Sequence, residues 1–160
     1  MAAVIGLAAH EVEDVIKVFS DVWIANLNGA SQVVISGDPH SIDAAIPALK
    51  NRGARKVVPL KISVASHCPY MDRARQALRE HLLEVKLEKP SCPVISNVTA
   101  RPETDPERIR GLLADQLVRP VRFEESVLNA AGAGIKKFIE IGPRSVLAPL
   151  VRRIVPGSEV

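Results

Sequence analysis

The 160 residues are 47% hydrophobic and 24% charged with a net charge of +3, which excludes a disordered or fibrous chain and suits one compact domain or two small lobes. At this length roughly 70% of the surface exposed by the unfolded chain can be buried, so no disulfide or metal staple is required. No apolar run approaches the roughly 20 residues of a membrane span, and the apolar Met1–Leu7 has no basic residue before it, so it does not read as a secretory leader.

Met1–Leu7 reads as a strand. Val12, Val15, Ile16 and Phe19 then recur at i, i+3, i+4 and i+7, which predicts an amphipathic helix over Glu11–Phe19. Val22–Leu27 and Val33–Ser36 read as two strands joined at Asn28-Gly29, a pair that tolerates the positive φ of hairpin turns. Asp38-Pro39 supplies an N-cap oxygen and a first-turn proline to a second helix. That helix carries Ile42, Ala45, Ile46 and Leu49 and ends at Gly53, before a fourth strand over Lys56–Ile62. The expected order is β-α-β-β-α-β, the ferredoxin-like or split βαβ unit.

The second half has another rhythm. A loop over Ser63–Met71 precedes a helix from about Tyr70 to Val85, with Ala74, Leu78 and Leu82 on one face. A short strand is expected at Val94–Val98, helices at Asp105–Leu117 and Glu124–Ala131, a strand at Lys137–Ile141 and a closing helix at Val146–Ile154. Helices alternating with single strands suggest α/β layering. Two strands, however, are too few for an independent sheet.

Cys68 and Cys92 form neither a disulfide framework nor a C-x-x-C pair, which fits a reducing cytosol. His10, His40, His67 and His81 lack metal-ligand spacing, so no metal is expected. The 21 basic residues are mixed with 18 acidic ones, and Trp23, Tyr70, Phe19, Phe123 and Phe138 are too few for a base-stacking platform. Nucleic acid and membrane are therefore not expected partners.

His67 is the best single candidate for chemistry. It sits in a loop just past a strand, flanked by small or turn-forming residues that leave the imidazole accessible. It serves either as a general base or as an ordinary loop histidine with one hydrogen bond. A base needs a nucleophile, and no G-x-S-x-G elbow occurs in the sequence. Ser66 and Cys68 adjoin His67 and are poorly placed to hand it a proton, and Cys68 reads as a small buried thiol. Asn26, Asn28, Gln32 and Asn97 cap turns or line a pocket.

Several segments match one family. Asn26–Gly37 (NLNGASQVVISG) resembles the N-x-N-x-x-x-Q-x-V-I-(A/S)-G segment of malonyl-CoA:acyl-carrier-protein transacylases, and Val64–Met71 (VASHCPYM) resembles their histidine loop. Pro93–Val98, Gln116–Phe123 and Glu140–Leu147 continue the match in the family's order. The resemblance covers only the C-terminal half of such an enzyme. It implies residues 1–63 as a ferredoxin-like small subdomain and 64–160 as the C-terminal portion of an α/β-hydrolase-like acyltransferase subdomain, α/β (α+β) in class.

The resemblance further implies that His67 is the catalytic histidine and that Gln116 accepts a hydrogen bond from its other ring nitrogen. Asn28 would border the cleft, with Ser66 beside the acyl group. The family's serine in a G-H-S-x-G elbow, its malonyl-gripping arginine and its oxyanion-hole glutamine belong to the preceding segment and are not found here. The implied activity is malonyl transfer from coenzyme A to acyl carrier protein in fatty-acid synthesis. Malonyl-CoA is then the substrate, no cofactor is permanently bound, and the partners are acyl carrier protein and the absent N-terminal half. Localisation would be cytoplasmic, and the chain alone inactive. Two other readings stay open: a non-catalytic ferredoxin-like binding module, and a fragment of an acyltransferase domain from a modular polyketide synthase. Arg144 stands where the family has glycine. Lys50, Arg52, Arg55, Lys56 and Lys61 read either as a basic rim beside the cleft, facing the acidic carrier protein, or as a solvated helix end whose Lys50, Arg52 and Arg55 complement the dipole.

Overall fold

The computed structural model describes residues 1–160. The chain begins β1 (Ala2–Ile5), α1 (Ala9–Ile16), β2 (Val22–Leu27), β3 (Gln32–Gly37), α2 (Pro39–Arg52) and β4 (Lys56–Pro59). These strands form one antiparallel sheet in the order β2-β3-β1-β4. Alternation sends Val4, Val33 and Ile35 to the face that α1 and α2 cover. There they join Val12, Ile16, Ile42, Ala45 and Leu49 in a single buried cluster.

Local sequence chemistry sets the boundaries. Asp38 caps α2 by accepting the Ser41 N–H at 2.9 Å, and Pro39 opens the helix. Gly53 ends it in the left-handed region, where its N–H reaches the Leu49 and Lys50 carbonyls. In α1 the Ala8 N-cap has no side-chain acceptor, and the Glu11 carboxylate takes the Ala8 N–H instead, at 3.0 Å. At Gly37 a Cβ would lie 1.9 Å from the Asp21 carbonyl oxygen, so the β3–α2 corner admits only glycine.

Two boundaries in this half differ from expectation. The hairpin loop is Asn28–Ser31 rather than a two-residue turn, and of the Asn-Gly pair only Gly29 has positive φ. Strand β4 runs to Pro59, the Leu60 N–H donating to the Met1 carbonyl at 3.0 Å as the last bond of the β1–β4 ladder before the chain leaves the sheet.

The second half contains a one-turn 3-10 helix at Pro69–Met71, then α3 (Asp72–Glu84), β5 (Val94–Ile95), β6 (Pro102–Glu103), α4 (Pro106–Asp115), α5 (Phe123–Gly132) and α6 (Ala148–Ile154). The strand expected over Val94–Val98 is only two residues long, because its partner β6 ends there and residues 97–99 turn back. No strand forms at Lys137–Ile141. That segment makes one isolated parallel bridge, Lys137 with Glu159, and finds no sheet to enter. Arg144 has negative φ, so its side chain costs no left-handed strain at that turn. The halves join where Val121 pairs in parallel with Asn26, the Leu27 N–H donating to the Val121 carbonyl and the Val121 N–H to the Ala25 carbonyl. No helix is long and apolar enough to cross a membrane.

Candidate active site

The loop after β4 is anchored by Cys68. This residue is 1% exposed, its thiol donates to the Ala65 carbonyl at 3.2 Å, and it packs on the buried Ser36 hydroxyl of β3. The thiol is therefore structural, as the small-hydrophobe reading expected. Pro69 then starts the 3-10 turn, and Tyr70 packs edge-on to Trp23 with ring centroids 5.3 Å apart. Partial desolvation and a hydrogen bond to the Asp21 carboxylate raise the Tyr70 pKa above its ordinary value.

Between these anchors His67 adopts φ +60°. A non-glycine residue in the left-handed region costs about 1 kcal/mol or more, and such residues concentrate at functional sites where surrounding structure holds them. What holds this one is α4. The His67 Nδ1 lies 2.7 Å from the main-chain carbonyl oxygen of Gln116, the residue that ends that helix. A carbonyl only accepts, so Nδ1 carries the hydrogen, and the lone pair of the neutral ring sits on Nε2. The carbonyl is one of those left free at a helix C-terminus, where the backbone dipoles concentrate negative charge.

The Gln116 side chain is fixed from both ends. Its Nε2 donates to the Leu113 carbonyl at 3.2 Å, and its Oε1 accepts from Asn97 Nδ2 at 2.9 Å. The Asn97 carbonyl in turn accepts the Arg122 N–H. Sequence reading named Asn97 only as a turn or pocket amide, and no local signal connects it to Gln116.

His67 opens on a concavity of about 550 Å³ lined by Phe19, Trp23, Val118, Arg119 and Pro120 among others. Ser66 and Asn28 do not line it. Asn28 lies past the far end of β2 from Trp23, in a separate concavity of about 310 Å³ with Gln32, Glu124 and Arg153. Arg153 donates to the Gln32 side chain there at 3.0 Å.

The basic residues are likewise dispersed. Lys56 pairs with Ile5, which pairs with Gln32, whereas Val22 of the His67 concavity pairs with Gly37. Lys56 thus sits at the opposite edge and opposite end of the sheet from Val22, on the order of 20 Å away. Arg52 and Arg55 share that remote end, Arg52 facing Glu11 at 3.6 Å and Arg55 lying against Gly6. Lys61 follows β4 at the other end. The five side chains form no continuous rim beside His67, and the basic residue lining its concavity beside Lys17 is Arg119. Strand order, invisible in the spacing, separates them.

A family model for the acyl transferase domain matches residues 1–157. The chain belongs to that family. It is 37% identical over 158 residues to the malonyl CoA-acyl carrier protein transacylase of Bacillus subtilis, covering 96% of this chain and 50% of that protein. The Escherichia coli K12 transacylase is 35% identical, with 97% and 51% covered. Among solved structures, the Coxiella burnetii transacylase superposes with a TM-score of 0.95 at 38% identity over 99% of this chain and 51% of that one. A malonyl-transacylase in complex with its type II polyketide acyl-carrier protein gives 0.93 at 36% identity over 96% and 51%. The mixed α/β architecture of this acyl transferase chain therefore matches the acyltransferase fold, and the chain spans about half the length of the relatives it matches.

Proposed function

We propose that this chain supplies the general base of a malonyl-CoA:acyl-carrier-protein transacylase. The observation that carries the reading is the His67 Nδ1–Gln116 carbonyl contact of 2.7 Å, which directs the free Nε2 lone pair away from α4. The nucleophile is a serine on the portion of the relatives' length that this chain does not span, and malonyl-CoA is the substrate.

His67 Nε2 takes the serine proton as the serine oxygen attacks the malonyl thioester carbonyl. The new C–O bond forms and the C–S bond to coenzyme A breaks, the departing sulfur leaving with the proton from Nε2. The carrier's pantetheine thiol then gives its proton to Nε2 and attacks the serine ester. A C–S bond forms, the C–O bond breaks, and the serine recovers the proton. While the ring is doubly protonated, the negative end of α4 faces it through the Gln116 carbonyl, the position a carboxylate occupies in hydrolytic triads.

The sheet order β2-β3-β1-β4 with both helices on one face supports reading residues 1–63 as the ferredoxin-like subdomain. Residues 64–160 are then the C-terminal portion of the hydrolase-like one. Carrier protein is the acceptor, a reading supported by the relative that is in complex with its acyl-carrier protein. At about 20 Å, about two and a half Debye lengths at physiological salt, Arg52, Arg55 and Lys56 act on it only weakly, and Arg119 and Lys17 are the cations of the His67 concavity that meet it.

Radiolabelled malonyl-CoA tests this. The chain alone is expected to acquire no hydroxylamine-sensitive label. Joined to the serine-bearing half of the Bacillus subtilis relative it becomes labelled, and His67→Ala lowers transfer to carrier protein about 100-fold or more. Undiminished transfer by His67→Ala would refute the assignment.

A further inference from the structure

Glu103 is the one buried carboxylate of the chain, and it lies outside the His67 concavity. Its Oε2 accepts from Arg108 Nε of α4 at 2.7 Å, and its Oε1 accepts from the Thr99 hydroxyl at 3.2 Å. Glu103 closes β6, and α4 begins only three residues later. Asp105 caps that helix locally, through the Glu107 N–H at 3.1 Å. The charge-assisted bond between Glu103 and Arg108 instead ties the helix back to the strand and fixes the angle at which it leaves.

The same hairpin holds the far end of α4. Residues 96–101 join β5 to β6, and from that turn Asn97 Nδ2 donates to the Gln116 side chain at 2.9 Å. The turn is itself braced. Ala100 is fully buried at φ +56°, and with His67 it is one of two non-glycine residues in the chain at positive φ. Its N–H donates to the Ser96 carbonyl at 2.8 Å, and its carbonyl accepts Asn129 Nδ2 of α5, also at 2.8 Å. Such backbone persists only where surrounding contacts over-determine it, and it concentrates at functional sites. The two strained residues are physically joined: Ala100 shapes the turn that grips α4, and α4 supplies the carbonyl that His67 meets.

Leverage makes the ion pair matter. Gln116 lies eight residues beyond Arg108, about 12 Å along a helix. Tilting α4 by about 10° at its Arg108 end would carry the Gln116 carbonyl about 2 Å, enough to break the contact with Nδ1.

We infer that Glu103 is a positioning residue for His67: paired with Arg108, it sets the tilt of α4 and so keeps the Gln116 carbonyl on Nδ1 and the lone pair on Nε2. This rests on His67 as the base of the proposed transfer. The ring's tautomer is read without turnover, so failed positioning and failed catalysis are separately visible.

The Arg108 side chain is 58% exposed, so Arg108→Ala breaks the pair without emptying the core. Glu103→Gln removes the charge while keeping the buried volume and an acceptor for Thr99. Nitrogen NMR of the full chain should show the ratio of Nδ1–H to Nε2–H tautomer of His67 falling about threefold or more in Arg108→Ala, and by less in Glu103→Gln. In the chain joined to the serine-bearing half of the Bacillus subtilis relative, kcat for malonyl transfer should fall in the same order, with KM changed by less than about twofold, since orientation and not substrate contact is lost. Arg108→Lys, which keeps a charged donor at that position, should recover most of both. Glu107→Ala breaks an exposed pair with Arg110 inside α4 and should change neither. An unaltered tautomer ratio in both variants, a loss confined to KM, or equal damage from Glu107→Ala would each overturn the inference. A shifted ratio with undiminished transfer would leave positioning standing and defeat the catalytic assignment.

Discussion

Residues 2–59 and residues 60–160 spend their apolar side chains in opposite ways. The shorter region gathers 11 buried residues into one cluster between two helices and a four-stranded sheet. The longer one buries four alanines (Ala100, Ala114, Ala130 and Ala148) with Cys68, Val127, Leu150 and Val151, and leaves Ile139, Ile141 and Val146 in solvent. Helix α3 has no buried residue at all along its 13 positions. The first region completes its own core. The second leaves much of its apolar surface in solvent.

The sharpest way to break this contrast is core truncation. Leu49→Ala is expected to destabilise the chain by about 4 kcal/mol, since Leu49 is fully enclosed, and Leu150→Ala by about 2, since its surroundings are looser. Urea titrations of both variants measure the difference, and equal losses would show that the second region holds a core of comparable quality.

A second probe is acid. The Glu140 carboxylate accepts the N–H groups of Leu147, Val146 and Ala148, at 2.8 to 3.0 Å, and the Ser145 hydroxyl, which lowers its pKa from 4.5 to about 2. A carboxylate held below its unfolded value contributes stability in full above pH 4.5 and loses it as pH falls toward 2. Amide exchange at residues 145–150 should therefore accelerate between those pH values while that of β1 and β3 does not. Glu140→Gln should exchange rapidly there at every pH. Unchanged protection in Glu140→Gln would mean that the carboxylate fixes nothing.

Smaller still is the effect of Asn97→Leu, which removes one exposed amide contact to Gln116. The Nδ1–H tautomer of His67, read by nitrogen NMR, should lose population modestly, and Gln116→Leu should abolish the difference because both act through one side chain. Last comes charge reversal at Arg52 and Arg55. In the joined enzyme it should raise the carrier-protein KM less than twofold at physiological salt, whereas Arg119→Glu should raise it several-fold. The reverse ranking would place the carrier at the far end of the sheet.

The first region was legible in sequence because its helices carry complete apolar stripes, such as Val12, Val15 and Ile16, and its caps are local, such as Asp38-Pro39 and Gly53. Pairing, capping and burial are all settled there within about 60 residues. Lys137–Ile141 misled for the opposite reason: its pattern is that of a strand, and a strand exists only with a partner to complete the ladder. At the candidate site, His67 was singled out from its loop and motif. Its acceptor Gln116 came only from the family resemblance, because that contact spans 49 residues, and its left-handed backbone, which depends on how Cys68 is buried, was not foreseen. The placement of the basic residues was hidden for want of strand order: Arg52, Arg55 and Lys56 are close to His67 in sequence and remote from it in the sheet.

That 49-residue span also makes the imidazole a gauge of assembly. Before α3, β5, β6 and α4 have formed, nothing selects a tautomer for the ring or keeps its backbone left-handed, and closing so long a loop is paid for by packing rather than by one hydrogen bond. Proton-accepting competence at Nε2 therefore arrives late, as a property of the finished lobe. The ring's NMR signature should switch on only after the first sheet is already protected from exchange, timing the maturation of the site from within.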